Sequence, residues 1–148
     1  MLCGTSESRR NLLKKSIFAL ILTDSKHNKF DGVFQRITEA LESGAIPVFL
    51  CLPSCYEIKN YLPFKEVIDW SKFSIFWPAA KVTEIHFLLR SFQDKDLFKM
   101  KDQGRKIWIH YLGSGKAIMS TVFNLIRTRV GLPAAPTIGE SNVTVVPN

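Results

Sequence analysis

The sequence predicts an α/β fold, a parallel sheet with flanking helices, and two observations carry that expectation. The apolar runs SIFALIL, AIPVFL and KFSIFWP lack the polar alternation of a strand with one wet face, so each reads as buried on both sides. Helix-length amphipathic stretches separate them, which is the order of a crossover-connected parallel sheet. Adjacent strands are expected over 17–22, 46–50 and 73–77.

ESRRNLLKK reads as a short helix behind a serine cap, leading into the first strand and then the polar loop TDSKHNKFDG. VFQRITEALES follows as a helix with Phe34, Ile37 and Leu41 on one face, stopped by Gly44, where a left-handed cap suits glycine. YLPFKEVIDW reads as a turn with a short helical stretch. Three helices complete the chain: VTEIHFLLRS, then DKDLFKMKDQGRKIWIHYL with Leu97, Met100, Trp108 and Tyr111 near one face, then SGKAIMSTVFNLIRTRV. The ending is Pro-rich and aperiodic, so a lobe over 1–131 and a linker or tail over 132–148 are expected.

At 148 residues and 46% hydrophobic composition the chain suits one globular domain with a sizeable core. A formal charge of +7 favours anionic company, yet basic and acidic residues alternate along most of the chain. No nucleic-acid module or basic stripe is present, so nucleic acid is not an expected partner. Cys3, Cys51 and Cys55 lack the paired spacing of a zinc site, and no metal is expected; Cys51 and Cys55 flank a Pro-Ser turn and suit either a bridge or two buried thiols. IFALIL is far shorter than the roughly 20 residues that span a bilayer, and MLCGTSESRR has no signal core, so the chain reads as soluble and without an address. Asn142 begins an Asn-Val-Thr glycosylation triplet, which matters only in a lumenal or secreted protein.

Several motifs fail on context. Asp94-Lys95-Asp96 has the form that holds a divalent ion in some transferases but opens a helix here, with Asp94 as the expected cap. GSGK, 113–116, lacks the earlier glycine of a phosphate loop and has Ala117 where magnesium needs a hydroxyl. His86 and His110 have no second ligand or base at helical spacing. His27 lies in the loop after the first strand, where doubly wound sheets bind phosphate, although a polar surface loop is the simpler reading.

The stretches RRNLLKKSIFALIL, RITEALESGAIPVFL, LPFKEVIDW, VTEIHFLLRS, QGRKIWIHYL and IRTRVGLPAAP occur in the order, and near the spacing, found in the exostosin family of glycosyltransferases, which the chain resembles over 9–136. The resemblance implies a Rossmann-like lobe, one half of a GT-B type glycosyltransferase domain: the C-terminal lobe of an N-terminal domain of the glucuronosyltransferase type. It implies a part in heparan sulfate (glycosaminoglycan) biosynthesis, in the lumen of the Golgi or endoplasmic reticulum, within a glycoprotein held by a type II membrane anchor absent from this chain. The implied partners are a UDP-sugar donor, the heparan sulfate precursor, and further exostosin chains in a homo- or hetero-oligomer. N-acetylglucosaminyl transfer and its divalent metal are implied only for a separate domain, also absent here.

Carried onto these residues, Glu39 would accept from the ribose hydroxyls of the nucleotide and Arg36 would oppose its diphosphate, with Lys26 and Lys29 of the preceding loop as further candidate contacts. Three residues apart, Arg36 and Glu39 share a helix face, which suits an exposed ion pair equally. The relatives follow the first strand with a Pro-Arg-Gly type loop, whereas Thr23 and Asp24 stand there, and an acid opposes a diphosphate. The expectation is therefore a vestigial donor pocket, no catalytic residue, and a lobe inactive alone. Two alternatives stand beside it: a scaffold lobe binding glycan or a partner exostosin chain through its basic surface and Trp70, Phe73, Phe76 and Trp77, or a free-standing nucleotide-binding domain.

Overall fold

The computed structural model describes residues 5–24, 32–52 and 54–133. Helix α1, Ser6–Leu13, starts behind Thr5, whose hydroxyl accepts the Ser8 N–H at 3.3 Å, so the cap is this threonine and not a serine. Strand β1, Phe18–Asp24, is followed by α2, Val33–Ser43, and β2, Ile46–Leu52. Helix α3, Cys55–Tyr61, and a 3₁₀ turn, Trp70–Lys72, lead to β3, Ile75–Pro78. A second 3₁₀ stretch, Ala79–Glu84, precedes α4, Ile85–Ser91; α5, Asp94–Ile107, runs into a π-helical segment, Trp108–Leu112, and α6, Gly115–Arg129, follows.

The three strands are parallel and adjacent in the order β1-β2-β3, as expected, with Phe18 opposite Ile46 and Val48 opposite Ile75. Their bounds differ from the expected ones. The third starts at Ile75 because Asp69 caps the 3₁₀ turn and the Ser74 hydroxyl donates to Trp70 O. The first runs on to Asp24, opposite Leu52, so Thr23 lies inside the strand and donates its buried hydroxyl to Leu50 O at 3.0 Å instead of opening the loop.

Residues paired across a parallel ladder share a face, so the sheet has two distinct sides. On one, Ile21, Phe49 and Cys51 pack with Ile37 and Leu41 of α2, Ile58 of α3, and Trp70, Phe73, Ile107 and Leu112. On the other, Ile46, Val48, Leu50 and Ile75 pack with Ile85 and with Leu88, Leu97 and Met100 of α4 and α5. The central strand is buried on both sides, from Ile46 to Cys51. The expectation that β1 is buried on both faces is overturned: Leu20 and Leu22 are exposed, while Ala19, Ile21 and Thr23 between them are buried. The run is apolar throughout, so composition hid a period of two.

Phe34 also departs from its expected place and is 45% exposed, since the inward stripe of α2 is Val33, Ile37 and Leu41 at intervals of four. Gly44 stops α2 as predicted, at φ 75°, with Ala45 N–H reaching Ala40 O at 2.9 Å in a Schellman-type closure. Helix α5 passes from one side of the sheet to the other: Leu97 and Met100 join the α4 side, whereas Ile107 and the following Trp108 and Tyr111 join the α2 side. The four residues expected near one face therefore pack into two different clusters. Gly104 lies at the passage in close contact, since a Cβ there would lie 3.3 Å from Leu41 Cδ2 and 3.6 Å from Phe73 Cδ2.

Asp94 and Asp96 occupy the first turn of α5, near its positive end, but the cap residue is Gln93 and not Asp94. Gly113 and Ser114 form a helix-to-helix turn, with Ser114 Oγ accepting the Ala117 N–H at 3.1 Å, in keeping with the dismissal of a phosphate loop. Cys51 and Cys55 are joined by a disulfide that ties the end of β2 to the start of α3.

A buried glutamate between two arginines

On the polar flank of α2, Gln35, Arg36 and Glu42 are exposed, but Glu39 does not face water. Helix α1 lies against it, and the Glu39 side chain is only 1% exposed. Arg9 approaches with its planar fork, Nε donating to Oε2 at 3.1 Å and Nη2 to Oε1 at 3.0 Å. Gln35 Nε2 donates to Oε1 at 3.0 Å from one turn earlier on α2, and Arg36 Nη1 to Oε2 at 3.2 Å. A carboxylate offers about four acceptor sites, and these four donors fill them. Arg36 keeps nearly half of its side chain in solvent. Arg10 and Glu42 add a more exposed pair between the same helices at 3.0 Å.

The cluster borders a recess of about 300 Å³ between α1 and β1, walled by Ala19, Leu20 and Ile21, with Arg9, Arg36 and Glu39 as its charged members. Arg36 and Glu39 are thus together, as their spacing implied. What sequence reading missed is Arg9, thirty positions from Glu39 and lost among scattered surface charges; its only signal is the adjacent basic pair in the first helix. Lys26, His27, Lys29, Cys3 and Asn142 lie outside the described residues. Asp24 is opposite Leu52 in the ladder.

A second recess, about 370 Å³, lies beside β3 and α3. Lys59 Nζ stands 4.8 Å from the Phe76 ring centroid, and the inner side of that ring stacks on Phe49. Lys65 donates to Asn60 Oδ1 at 3.3 Å. The four aromatic residues considered as one surface are dispersed: Trp70 and Phe73 are core, and Phe76 and Trp77 point to opposite sides of the sheet. His86 Nδ1 lies 2.8 Å from Thr83 O, beside the Phe87 ring. Among the described residues no group of three or more His, Cys, Asp or Glu could hold a metal ion, and no helix is long and apolar enough to cross a membrane.

The parallel order, the crossover helices and the doubly covered central strand define a Rossmann-like α/β lobe. Residues 2–92 match the exostosin GT47 domain, and the chain belongs to that glycosyltransferase family. It is 28% identical over 127 residues to the Exostosin-like-3 homolog of Caenorhabditis elegans, an alignment covering 86% of this chain and 14% of that protein. It is 30% identical to Exostosin-1 of Drosophila melanogaster over 119 residues, 80% of this chain and 14% of the relative. With human Exostosin-2 the identity is 30% over 132 residues, 88% and 17% of the two chains. The chain therefore spans about one seventh of the length of the first two relatives and little more of the third.

Proposed function

We propose that this chain is the donor-side lobe, the second half of a GT-B type domain, in an exostosin protein of heparan sulfate biosynthesis, and that its former UDP-sugar contact now serves as a brace. One observation carries the reading: the Glu39 carboxylate that would accept ribose hydroxyls is filled by Arg9, Gln35 and Arg36. A donor sugar would have to displace an internal bidentate pair to reach it. The lobe transfers no sugar by itself, since transfer requires a facing lobe to hold donor and acceptor in register. In the whole protein the N-acetylglucosaminyl step and its divalent metal belong to another domain, and oligomerisation is with other exostosin chains. The Cys51–Cys55 disulfide supports an oxidising compartment, the lumen of the endoplasmic reticulum or Golgi.

Titration calorimetry with uridine diphosphate tests the brace. The expected result is no saturable binding at or below about 10 μM, which corresponds to ~7 kcal/mol. Tighter binding, lost in Arg36→Ala, would show that the donor site is intact. Incubating the chain with a UDP-sugar and a heparan precursor oligosaccharide should give no product above a protein-free control.

A second reading has its own observation. The Lys59–Phe76 recess sets Lys59 and Lys65 above apolar walls, while the two acids of its lining, Glu66 and Asp69, are engaged by Arg129 and Lys72, and this favours a scaffold lobe that binds a glycan. Loss of glycan retention on a heparan precursor column in Lys59→Gln, Lys65→Gln, with Arg36→Ala unchanged, would select it.

A further inference from the structure

Helix α6 is apolar on two opposite sides. Its inner side, Ala117, Thr121 and Leu125, rests against the molecule, with Thr121 buried and its hydroxyl donating to Ala117 O at 2.9 Å. A helix at the surface of a finished protein presents polar residues outward. This one presents Met119, Phe123, Ile126 and the cap residue Val130, each between 51% and 63% exposed. Their intervals of four, three and four residues keep all four within one narrow stripe, the spacing of a seam between two packed helices.

The flanks of the stripe identify what lies across it. Helix α6 contains no aspartate or glutamate. Lys116, Ser120 and Arg127 line one flank; Val122 and Arg129 line the other. Arg129 is paired with Glu66, and Arg127 Nε donates to Pro133 O at 2.9 Å; among the described residues no carboxylate pairs with Arg127. Across a helix seam the flanking charges choose the partner. A second copy of α6 would bring arginines and lysine against their own kind, with no acidic residue of the helix to offset them. We infer that α6 is a docking helix for an amphipathic helix of another protein chain, one with aliphatic residues at heptad spacing and glutamate or aspartate beside them to meet Lys116 and Arg127.

The test uses the full 148-residue chain. Two labelled synthetic helices of about three heptads share a leucine seam and differ only in flanking residues, glutamate in one and lysine in the other. By fluorescence anisotropy the glutamate-flanked peptide should bind at least tenfold more tightly, and Phe123→Glu, Ile126→Glu should weaken it at least tenfold. These positions are exposed, so thermal melts of the double variant should match the parent. Lys116→Glu, Arg127→Glu should reverse the preference between the two peptides. Equal binding of both peptides, or binding unaffected by Phe123→Glu, Ile126→Glu, would overturn the proposal. So would sedimentation showing a dimer of the chain that this double variant dissolves, since a second copy would then be the occupant.

Discussion

Arg9 of the first helix closes a two-pronged bond on Glu39 of the second, thirty residues away, with Nε and Nη2 on separate carboxylate oxygens at 3.1 and 3.0 Å. A pair the spacing presented as Arg36–Glu39 is thus a larger assembly, and its strongest geometry lies with a residue outside that helix. Buried charges of this kind matter most when one member is deleted, because the remainder is left uncompensated.

Glu39→Ala is expected to destabilise the chain by about 3 kcal/mol, near the lower end for a broken buried pair because Arg36 remains half solvated. This differs from the expectation for an exposed pair, about 0 to 1 kcal/mol. Urea midpoints of the wild type, Arg9→Ala, Glu39→Ala and the double variant give the coupling. Additive losses from the two single changes would contradict the brace.

Gly104 sits where α5 crosses between the two sides of the sheet. Gly104→Ala gains helix propensity of about 1 kcal/mol but sets a Cβ 3.3 Å from the mobile end of Leu41, so a near-neutral change is expected. Gly104→Val adds branched bulk against Leu41 and Phe73 and should cost about 1–3 kcal/mol. Thermal melts separate the two; equal stability of both variants would show that the crossing is loosely packed.

The disulfide closes a short loop, four residues apart in sequence. Chain-entropy reasoning assigns such a loop ~2 kcal/mol. Denaturation of Cys51→Ser, Cys55→Ser beside the parent should show a loss of that size, and peptide mapping without reductant should recover the two cysteines as one linked fragment. Recovery as separate alkylated peptides would refute the link.

Asp69 accepts from the Ser71 hydroxyl at 2.5 Å and from the Ser71 N–H at 3.2 Å. The Ser71 hydroxyl, foremost, then its N–H and the charge of Lys72, hold the Asp69 carboxyl below its ordinary range against a smaller opposing desolvation. A depressed carboxyl stabilises the fold above its unfolded pKa and loses that contribution as pH falls through the folded value. Asp69→Ala should therefore lose about 0.5–1 kcal/mol at neutral pH, the worth of a cap. The gap to wild type should close only below about pH 4. A gap that widens in acid would reverse the assignment.

The parts of the fold legible in sequence were those set by local chemistry: the continuous apolar run of β2, the stop at Gly44, and the turn at Gly113 and Ser114. The parts that were not depend on which neighbour happens to lie alongside. SIFALIL and AIPVFL look alike, yet one is an outer strand and the other central, because the α4 and α5 side covers β2 but of β1 covers only Phe18, leaving Leu20 and Leu22 open. Glu39 was legible as a member of a polar flank, but its burial comes from α1, and no periodicity in α2 encodes that. The same limit applies to α6, whose second apolar side looks like additional core until the packing is known.

The outer edge of β1 has a thermodynamic consequence of its own. Among the described residues nothing pairs with that edge, and two leucines, Leu20 and Leu22, stand beside it in water. Its outward N–H and C=O groups form a template that accepts any extended segment, regardless of sequence. The seven residues of this border thus offer a route to association that the net charge of +7 opposes, so added salt, which screens that charge, should promote pairing at the edge, while dilution starves it of partners.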